Sequence, residues 1–307
     1  MMKTSTLQPW TDPPVDDCVH IYSDGTCVVC LFGERQDCIR MMNLIAVTAH
    51  ENDIRILMIQ IMSTHFHLIA SGKHTDCARF TTSLTRKLQI IILRSGKKEL
   101  VRKGLKVSMD PIRTENELKN KIIYVYRNAI AAGYPFAPWE YEWGPGNILF
   151  VDHETAAKMG MPLSELGVMQ QRSLFRTKEK LPQHWRCNEE GMILPHSYLH
   201  WGRVEKLFRS VRAFLAFLHQ KRDQEMLLDA ECAQSTTTRL SESKLRKEAK
   251  ERLASLFGRR SFSKASFEER TALARKLWAE RRTYSLSVLS RVVLIDKETL
   301  AQILGVQ

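Results

Sequence analysis

Long apolar runs are missing from this sequence. No segment approaches the roughly 18 consecutive apolar residues of a membrane-spanning helix, so we expect no association with a membrane. Residues 1–14 are polar and contain proline, and they lack the apolar stretch of a secretory signal. Both absences favour a cytoplasmic protein.

The cysteines lack the arrangements of two common structural uses. The seven cysteines are odd in number and scattered, which is typical of reduced thiols rather than of a disulfide framework. Cys27 and Cys30 form a single C-x-x-C pair, but the two valines between them favour a strand. No second Cys or His pair follows at zinc-finger spacing, so we expect no structural zinc.

Acidic residues are too few to balance the basic ones, and the imbalance is concentrated towards the C-terminus. The net charge is +12, and the stretch from Arg239 to Arg282 contains 14 basic and 6 acidic residues, a net charge of +8. Clustered positive charge favours a polyanionic partner, most commonly nucleic acid, although a solvated helical face gives the same composition.

Hydrophobic periodicity in the first half of the chain predicts strands and helices in the order β-α-β-β-α-β-α. This order indicates an α+β fold with a ferredoxin-like, largely antiparallel sheet whose helices cover one face. The predicted elements are a hairpin-like region at 17–32 with a turn at Asp24-Gly25, a helix at 33–50, strands at 54–61 and 65–70, a helix at 75–94, a strand at 105–112, and a helix from Glu115 to Gly133.

The second half is predicted to form an α-helical C-terminal region, mainly over 151–225, after an irregular segment at 135–146. One amphipathic helix is expected from Trp201 to about Lys221. The last part resembles a helix-turn-helix, whose final helix enters a major groove, but a small three-helix packing unit has the same pattern. Its helices are expected at 267–282, 285–293 and 297–304, with Ser285 as an N-cap and a turn at 294–296.

Basic residues on the predicted helices are candidate DNA contacts. Arg79, Arg86 and Arg94 fall on one face of the 75–94 helix, at spacings that suit a phosphate backbone. Such a row is equally common as plain solvated surface. Arg291 and Lys297 are the candidate DNA contacts of the helix-turn-helix-like unit.

Two short motifs place metal-ligating and nucleophilic side chains at defined spacings. His65 and His67 are two apart in a predicted strand, so their imidazoles project from the same face. Tyr124 and Asn128 are four apart in a predicted helix and share a helix face. Two imidazoles and an amide oxygen can hold a divalent cation, and a neighbouring tyrosine can attack a polarised phosphate. Tyr126 is a second candidate nucleophile, but it lies about 200° around the helix from Tyr124.

These segments resemble two motifs of the IS200-like (Y1) transposases, in particular of the REP-associated tyrosine transposases. Residues 61–69 (IMSTHFHLI) are similar to the family's M-P-N-H-x-H-L-L segment, and residues 124–133 (YVYRNAIAAG) to its Y-I-H-x-N-P-V-x-A-G segment. The sequence has Ser63-Thr64 in place of Pro-Asn and Ala129 in place of a proline, and Trp143 only echoes a Trp-Ser-Ser-Tyr motif. The resemblance covers about residues 17–150.

The resemblance implies an HUH single-strand DNA endonuclease that acts in DNA transposition and recombination. His65, His67 and Asn128 would be ligands of Mg²⁺ or Mn²⁺, and Tyr124 would be the nucleophile that forms a 5′-phosphotyrosine. The expected partner is hairpin-bearing single-stranded DNA, bound by a monomer or a homodimer. The resemblance also implies a bacterial protein that is associated with the nucleoid in the cytoplasm. The corresponding division is an N-terminal tail at 1–16, an HUH Y1-transposase-like catalytic domain at 17–150, a helical extension at 151–234, a basic linker helix at 235–266, and a helix-turn-helix-like DNA-binding unit at 267–307.

Two other functions fit parts of the sequence. A non-catalytic DNA-binding regulator would use the C-terminal unit beside a domain that has lost activity, yet all four site positions carry competent side chains. A metal-dependent hydrolase would use the His65-x-His67 pair with further His and Asp ligands on later strands. The later histidines lie in loop-like or helical surroundings and offer no such series of ligands; they are His153, His184, His196 and His200.

Overall fold

The computed structural model describes part of the chain in detail. The described residues are 17–23, 31–94, 105–131, 137–220, 242–259, 261–280, 284 and 286–306. The expected turn at Asp24-Gly25, the Cys27–Cys30 pair, Gly133 and the N-cap at Ser285 lie outside them.

A four-stranded antiparallel sheet organises the first half of the chain, with the strand order β2-β3-β1-β4. This confirms the prediction of an α+β fold with an antiparallel sheet, and the predicted element order holds throughout the described part. The elements are β1 (Cys18–Ser23), α1 (Arg35–Glu51), β2 (Arg55–Ile61), β3 (Phe66–Ser71), α2 (His74–Arg94), β4 (Val107–Ile112) and α3 (Glu115–Ala131).

The sheet is covered by helices on both faces, so the prediction that they cover one face is wrong. Side chains such as Ile21, Phe66 and Leu68 pack with α1 and α2. Their neighbours Met58 and Ile69 point to the other side, where they pack with α3 and with residues 201–218. The sequence signal for this arrangement is the nearly continuous apolar run of β2, because a strand covered on both faces loses the alternation of a half-exposed strand.

The middle of the chain is less helical than expected. It contains a small hairpin of β5 (Met161–Pro162) and β6 (Arg186–Cys187). The single helix predicted from Trp201 to Lys221 is wrong, because Arg209 takes a left-handed conformation (φ 64°) that ends the first helix, and helix resumes at 211–220. The helices here are α4 (His153–Ala156), α5 (Val168–Phe175), α6 (Trp201–Phe208) and α7 (211–220), with 3₁₀ turns at Pro138–Glu140, Leu163–Glu165 and Pro195–Ser197.

The C-terminal part is a separate helical core. Its helices are α8 (Glu242–Phe257), α9 (Phe267–Glu280), α10 (Leu286–Val293) and α11 (Lys297–Leu304), with a 3₁₀ turn at Phe262–Lys264. The helix that the sequence assigned to a basic linker, α8, places Leu245, Ala249 and Leu253 in the same core as the three helices that follow. Among the helices that the structure describes, none has the length and hydropathy to cross a bilayer.

Candidate active site

The two histidines of the H-x-H motif flank Phe66, the first residue of β3, directly after the turn that joins β2 to β3. The turn is closed by a hydrogen bond from the Met62 amide to the His65 carbonyl (2.7 Å). His65 precedes β3, while His67 belongs to it and pairs with Tyr22 of β1. Successive side chains of β3 point to opposite faces of the sheet. Phe66 therefore points into the core on the α1–α2 side, and the His67 imidazole lies on the α3 side.

The turn before His65 is held from a second direction. The amides of Leu31 and Phe32 both donate to the Ser63 carbonyl, at 2.8 and 2.9 Å. The Thr64 hydroxyl lies 2.9 Å from Nδ1 of His65. These contacts hold the turn and one nitrogen of His65 in place, so the orientation of the ring is set locally.

Helix α3 presents Tyr124 and buries Tyr126. The Tyr124 side chain is 48% exposed, whereas Tyr126 is 2% exposed and packs edge-to-face on Phe214, with ring centroids 5.5 Å apart. Asn128 lies one turn beyond Tyr124, and its Nδ2 donates to the Tyr124 carbonyl at 2.8 Å. That bond uses one N–H of the Asn128 amide and leaves its Oδ1 as an acceptor.

Three of the four predicted site residues meet through their rings. The His65 and His67 ring centroids are 4.9 Å apart with nearly perpendicular planes, and the His67 and Tyr124 centroids are 5.4 Å apart, also edge to face. These residues come from one hairpin and from a helix more than 50 positions later in the sequence. The fourth residue, Asn128, is tied to Tyr124 along α3.

Sequence reasoning missed two members of this cluster, His20 and Tyr22 on β1. His20 is buried, and its Nε2 lies 3.1 Å from Nδ1 of His67. The Tyr22 ring stacks on His20 at 4.8 Å between centroids. Both project from the same face because they are two apart in a strand, and this His-x-Tyr alternation within an apolar strand was the available signal.

Burial keeps the two inner histidines neutral. The pKa of His67 falls to about 2, mainly because burial disfavours its charged form and secondarily because of positive charge on His65, His20 and Lys121. The pKa of His20 falls to about 4 through burial and Lys121, against an opposing effect of Asp110. Neutral imidazole is the form that binds a metal ion.

The imidazoles of His65 and His67, together with the amide oxygen of Asn128 one turn beyond Tyr124, could hold a divalent cation. Three protein ligands would leave coordination positions open to a substrate. Within the described ranges no group of three or more His, Cys, Asp or Glu side chains is spaced to bind a metal. A site made of His65, His67 and Asn128 differs from such a group, because its third protein ligand is the amide of an asparagine.

The candidate DNA-contacting arginines of α2 lie away from this cluster. Helix α2 packs on the α1 side of the sheet, opposite α3, so Arg79, Arg86 and Arg94 are not brought to Tyr124. Arg79 also forms an ion pair with Asp76 (3.1 Å) and donates to Asn52 Oδ1 (3.3 Å).

The two C-terminal candidates lie in the separate helical core. Arg291 is in the last turn of α10, and Lys297 is the exposed first residue of α11.

Comparison with known proteins gives no relative for this chain. No protein-family model, no curated protein and no solved structure matches it.

Proposed function

We propose that this protein is a metal-dependent tyrosine endonuclease and strand transferase that cleaves and rejoins hairpin-bearing single-stranded DNA. The observation that carries the proposal is the exposed Tyr124, edge-on to the buried His67, which in turn adjoins His65. The strand order 2-3-1-4 within a β-α-β-β-α-β chain supports a ferredoxin-like domain of the HUH type.

His65, His67 and Asn128 would hold Mg²⁺ or Mn²⁺, which when bound polarises the scissile phosphate and offsets its developing charge. The Tyr124 phenol oxygen forms a bond to phosphorus as its proton leaves, and the bond from phosphorus to the 3′-oxygen breaks. That oxygen takes up a proton and departs as a 3′-OH. The resulting 5′-phosphotyrosine retains the energy of the phosphodiester, so a second 3′-OH can reverse the exchange without ATP.

Single-stranded DNA is the substrate that the surroundings of the site favour. Lys121 lies one turn before Tyr124, with its ammonium group 5.9 Å from the tyrosine ring centre. This cation and the net charge of +12 attract a phosphate backbone. Because the reacting tyrosine stands on a half-exposed helix face, an unpaired strand can reach it without a closed pocket.

The test is adduct formation on a pool of hairpin-bearing single-stranded DNA with Mn²⁺, resolved on a denaturing gel. We expect a covalent protein–DNA adduct in the wild type and in Tyr126→Phe, and none in Tyr124→Phe. Tyr126→Phe is a matched control because it removes a phenol oxygen from the same helix inside the core. An adduct that persists in Tyr124→Phe would assign the nucleophile elsewhere, and its absence from the wild type with every metal would reject the enzyme.

The alternative is a non-catalytic DNA-binding regulator. Helices α10 and α11 are joined by the short turn at 294–296 and pack together in the C-terminal core. This packing favours a folded helix-turn-helix-like DNA-binding unit over an unstructured basic tail. It predicts DNA binding without an adduct. In that case Arg291→Ala and Lys297→Ala should each reduce the salt dependence of binding by about one counterion.

A further inference from the structure

His20 and His67 are joined end to end inside the protein. Their nitrogens approach to 3.1 Å while the ring centroids are 5.2 Å apart and the planes differ by 16°. Rings that are nearly parallel, with close nitrogens and distant centres, share an in-plane hydrogen bond rather than a face-to-face stack. Both side chains are almost fully buried, so water does not compete for this bond.

One proton lies between the two rings, and two arrangements are available to neutral imidazoles. In the first, His67 donates its Nδ1–H to Nε2 of His20, and Nε2 of His67 keeps its lone pair. In the second, His20 donates from Nε2, and the remaining proton of His67 occupies its Nε2. Only the first arrangement leaves His67 able to bind a metal ion through the nitrogen that does not face His20.

We propose that His20 is a positioning residue that accepts the Nδ1–H of His67 and so holds His67 in the tautomer whose Nε2 is a ligand. The proposal rests on the proposed function, because it assigns His67 to the metal. It goes beyond that function by giving β1 a part in the site. Metal-binding histidines are commonly fixed in this way by an acceptor for their second nitrogen.

The neighbourhood of His20 favours the accepting role. Strand β1 lies between β3 and β4, so His20 has His67 on one side and its register partner Asp110 on the other. Nδ1 of His20 is buried and has no hydrogen-bond partner among the described residues. A proton on Nδ1 gives the tautomer whose Nε2 accepts, and on the β4 side Asp110 supplies a negative charge that opposes the positive charge of Lys121.

The first measurement is the tautomer of His67 in metal-free protein, read from the ¹⁵N chemical shifts of its ring. We expect Nδ1–H in the wild type. In His20→Phe, which removes the acceptor and keeps an aromatic ring, we expect a shift towards the Nε2–H form that an unconstrained imidazole favours. A wild-type His67 protonated on Nε2 would overturn the proposal, as would a tautomer unchanged by His20→Phe.

The second measurement is the Mn²⁺ affinity, by calorimetry, of the full chain without DNA. We expect His20→Phe to weaken binding by about 10- to 100-fold, as is typical when the partner of a metal-ligating histidine is lost. His20→Gln, whose amide oxygen can accept from Nδ1–H, should restore most of the affinity. Equal affinity in all three proteins would overturn the proposal.

A matched control is His196→Phe, which removes one ring from a second histidine pair, His153–His196 (3.3 Å), outside the sheet. It should leave Mn²⁺ affinity unchanged. A wild type that binds no Mn²⁺ would count against the proposed metal site. The tautomer in metal-free protein would still decide the role of His20, so the two failures are distinguishable.

Discussion

At the scale of single residues, burial distinguishes two tyrosines of the same helix. Tyr124 and Tyr126 are two positions apart on α3, yet Tyr124 is half-exposed and Tyr126 is buried. Burial raises the pKa of Tyr126 well above its usual range. A phenol that resists deprotonation is a poor nucleophile, so the environment favours Tyr124 for attack on a phosphate.

The depressed histidine pKa values predict an acid-sensitive fold. In the unfolded chain both histidines bind a proton near pH 6.5, whereas in the folded protein the pKa of His20 is about 4 and that of His67 about 2. The unfolded state therefore binds more protons below pH 6.5, and the free energy of unfolding falls as the pH drops from about 6.5 to 4. Each group contributes at most about 1.4 kcal/mol per pH unit. Urea unfolding of metal-free protein at pH 7 and pH 5 measures this, and His20→Gln should reduce the slope. An unchanged slope in that variant would show that His20 already titrates normally.

At the scale of elements, the turn between α10 and α11 is specified by its own hydrogen bonds. Leu294 takes a left-handed conformation (φ 58°), and its carbonyl accepts from Arg270 at 2.6 Å. The Ser290 hydroxyl donates to the Ile295 carbonyl at 2.7 Å, and Asp296 then caps α11 by accepting from the Thr299 amide at 2.9 Å. The sequence predicted this turn at 294–296, and the structure confirms it.

Removal of the α11 cap should destabilise the C-terminal unit. Asp296→Ala is expected to cost about 1 kcal/mol, the usual loss for an N-cap, while Asp296→Asn keeps an acceptor and should cost less. The measurement is the free energy of unfolding of that unit in urea. Glu298→Ala, at an exposed position in the first turn of the same helix, is the matched control, and an equal loss there would contradict a capping role for Asp296.

At the scale of the whole molecule, the C-terminal helices are attached to the start of α1. Arg246 of α8 donates to the Gly33 carbonyl at 3.0 Å, and Lys250 pairs with Glu34 at 3.0 Å. Ser261 also donates to Glu34, at 3.1 Å. Glu34 is the N-cap of α1 and lies two residues after Phe32, whose amide donates to the Ser63 carbonyl in the turn before His65. The contacts between the C-terminal helices and α1 are therefore two residues from a segment that holds the candidate active site.

The shared core predicts that α8 is indispensable to the C-terminal unit. Leu253 is fully buried there, so Leu253→Ala should lower the free energy of unfolding of this unit by about 2–5 kcal/mol. Leu256 is on the same helix and 43% exposed, so Leu256→Ala should stay within about 0.5 kcal/mol of the wild type. Chemical denaturation followed by circular dichroism compares the two. Similar small losses in both would mean that α8 only links the parts.

The sequence by itself determined what depends on local periodicity. The period of two predicted that the imidazoles of His65 and His67 lie together, and their ring centroids are 4.9 Å apart. The helical period separated Tyr124 and Asn128 from Tyr126. The element order of the first half followed from apolar runs and turn residues, and the structure reproduces it there. These features depend on residues close together in the chain, so a pattern of residue types is sufficient to predict them.

Only the tertiary structure decided which strands are neighbours and which face of the sheet α3 covers. His20 and His67 are 47 residues apart, and they meet because β1 pairs with β3 in one register. A shift of one residue would turn His67 to the opposite face. Strand pairing is a long-range choice set by the packing of both faces at once, and no local pattern encodes it. The same packing placed Tyr124 over the histidines and left the arginines of α2 on the far side.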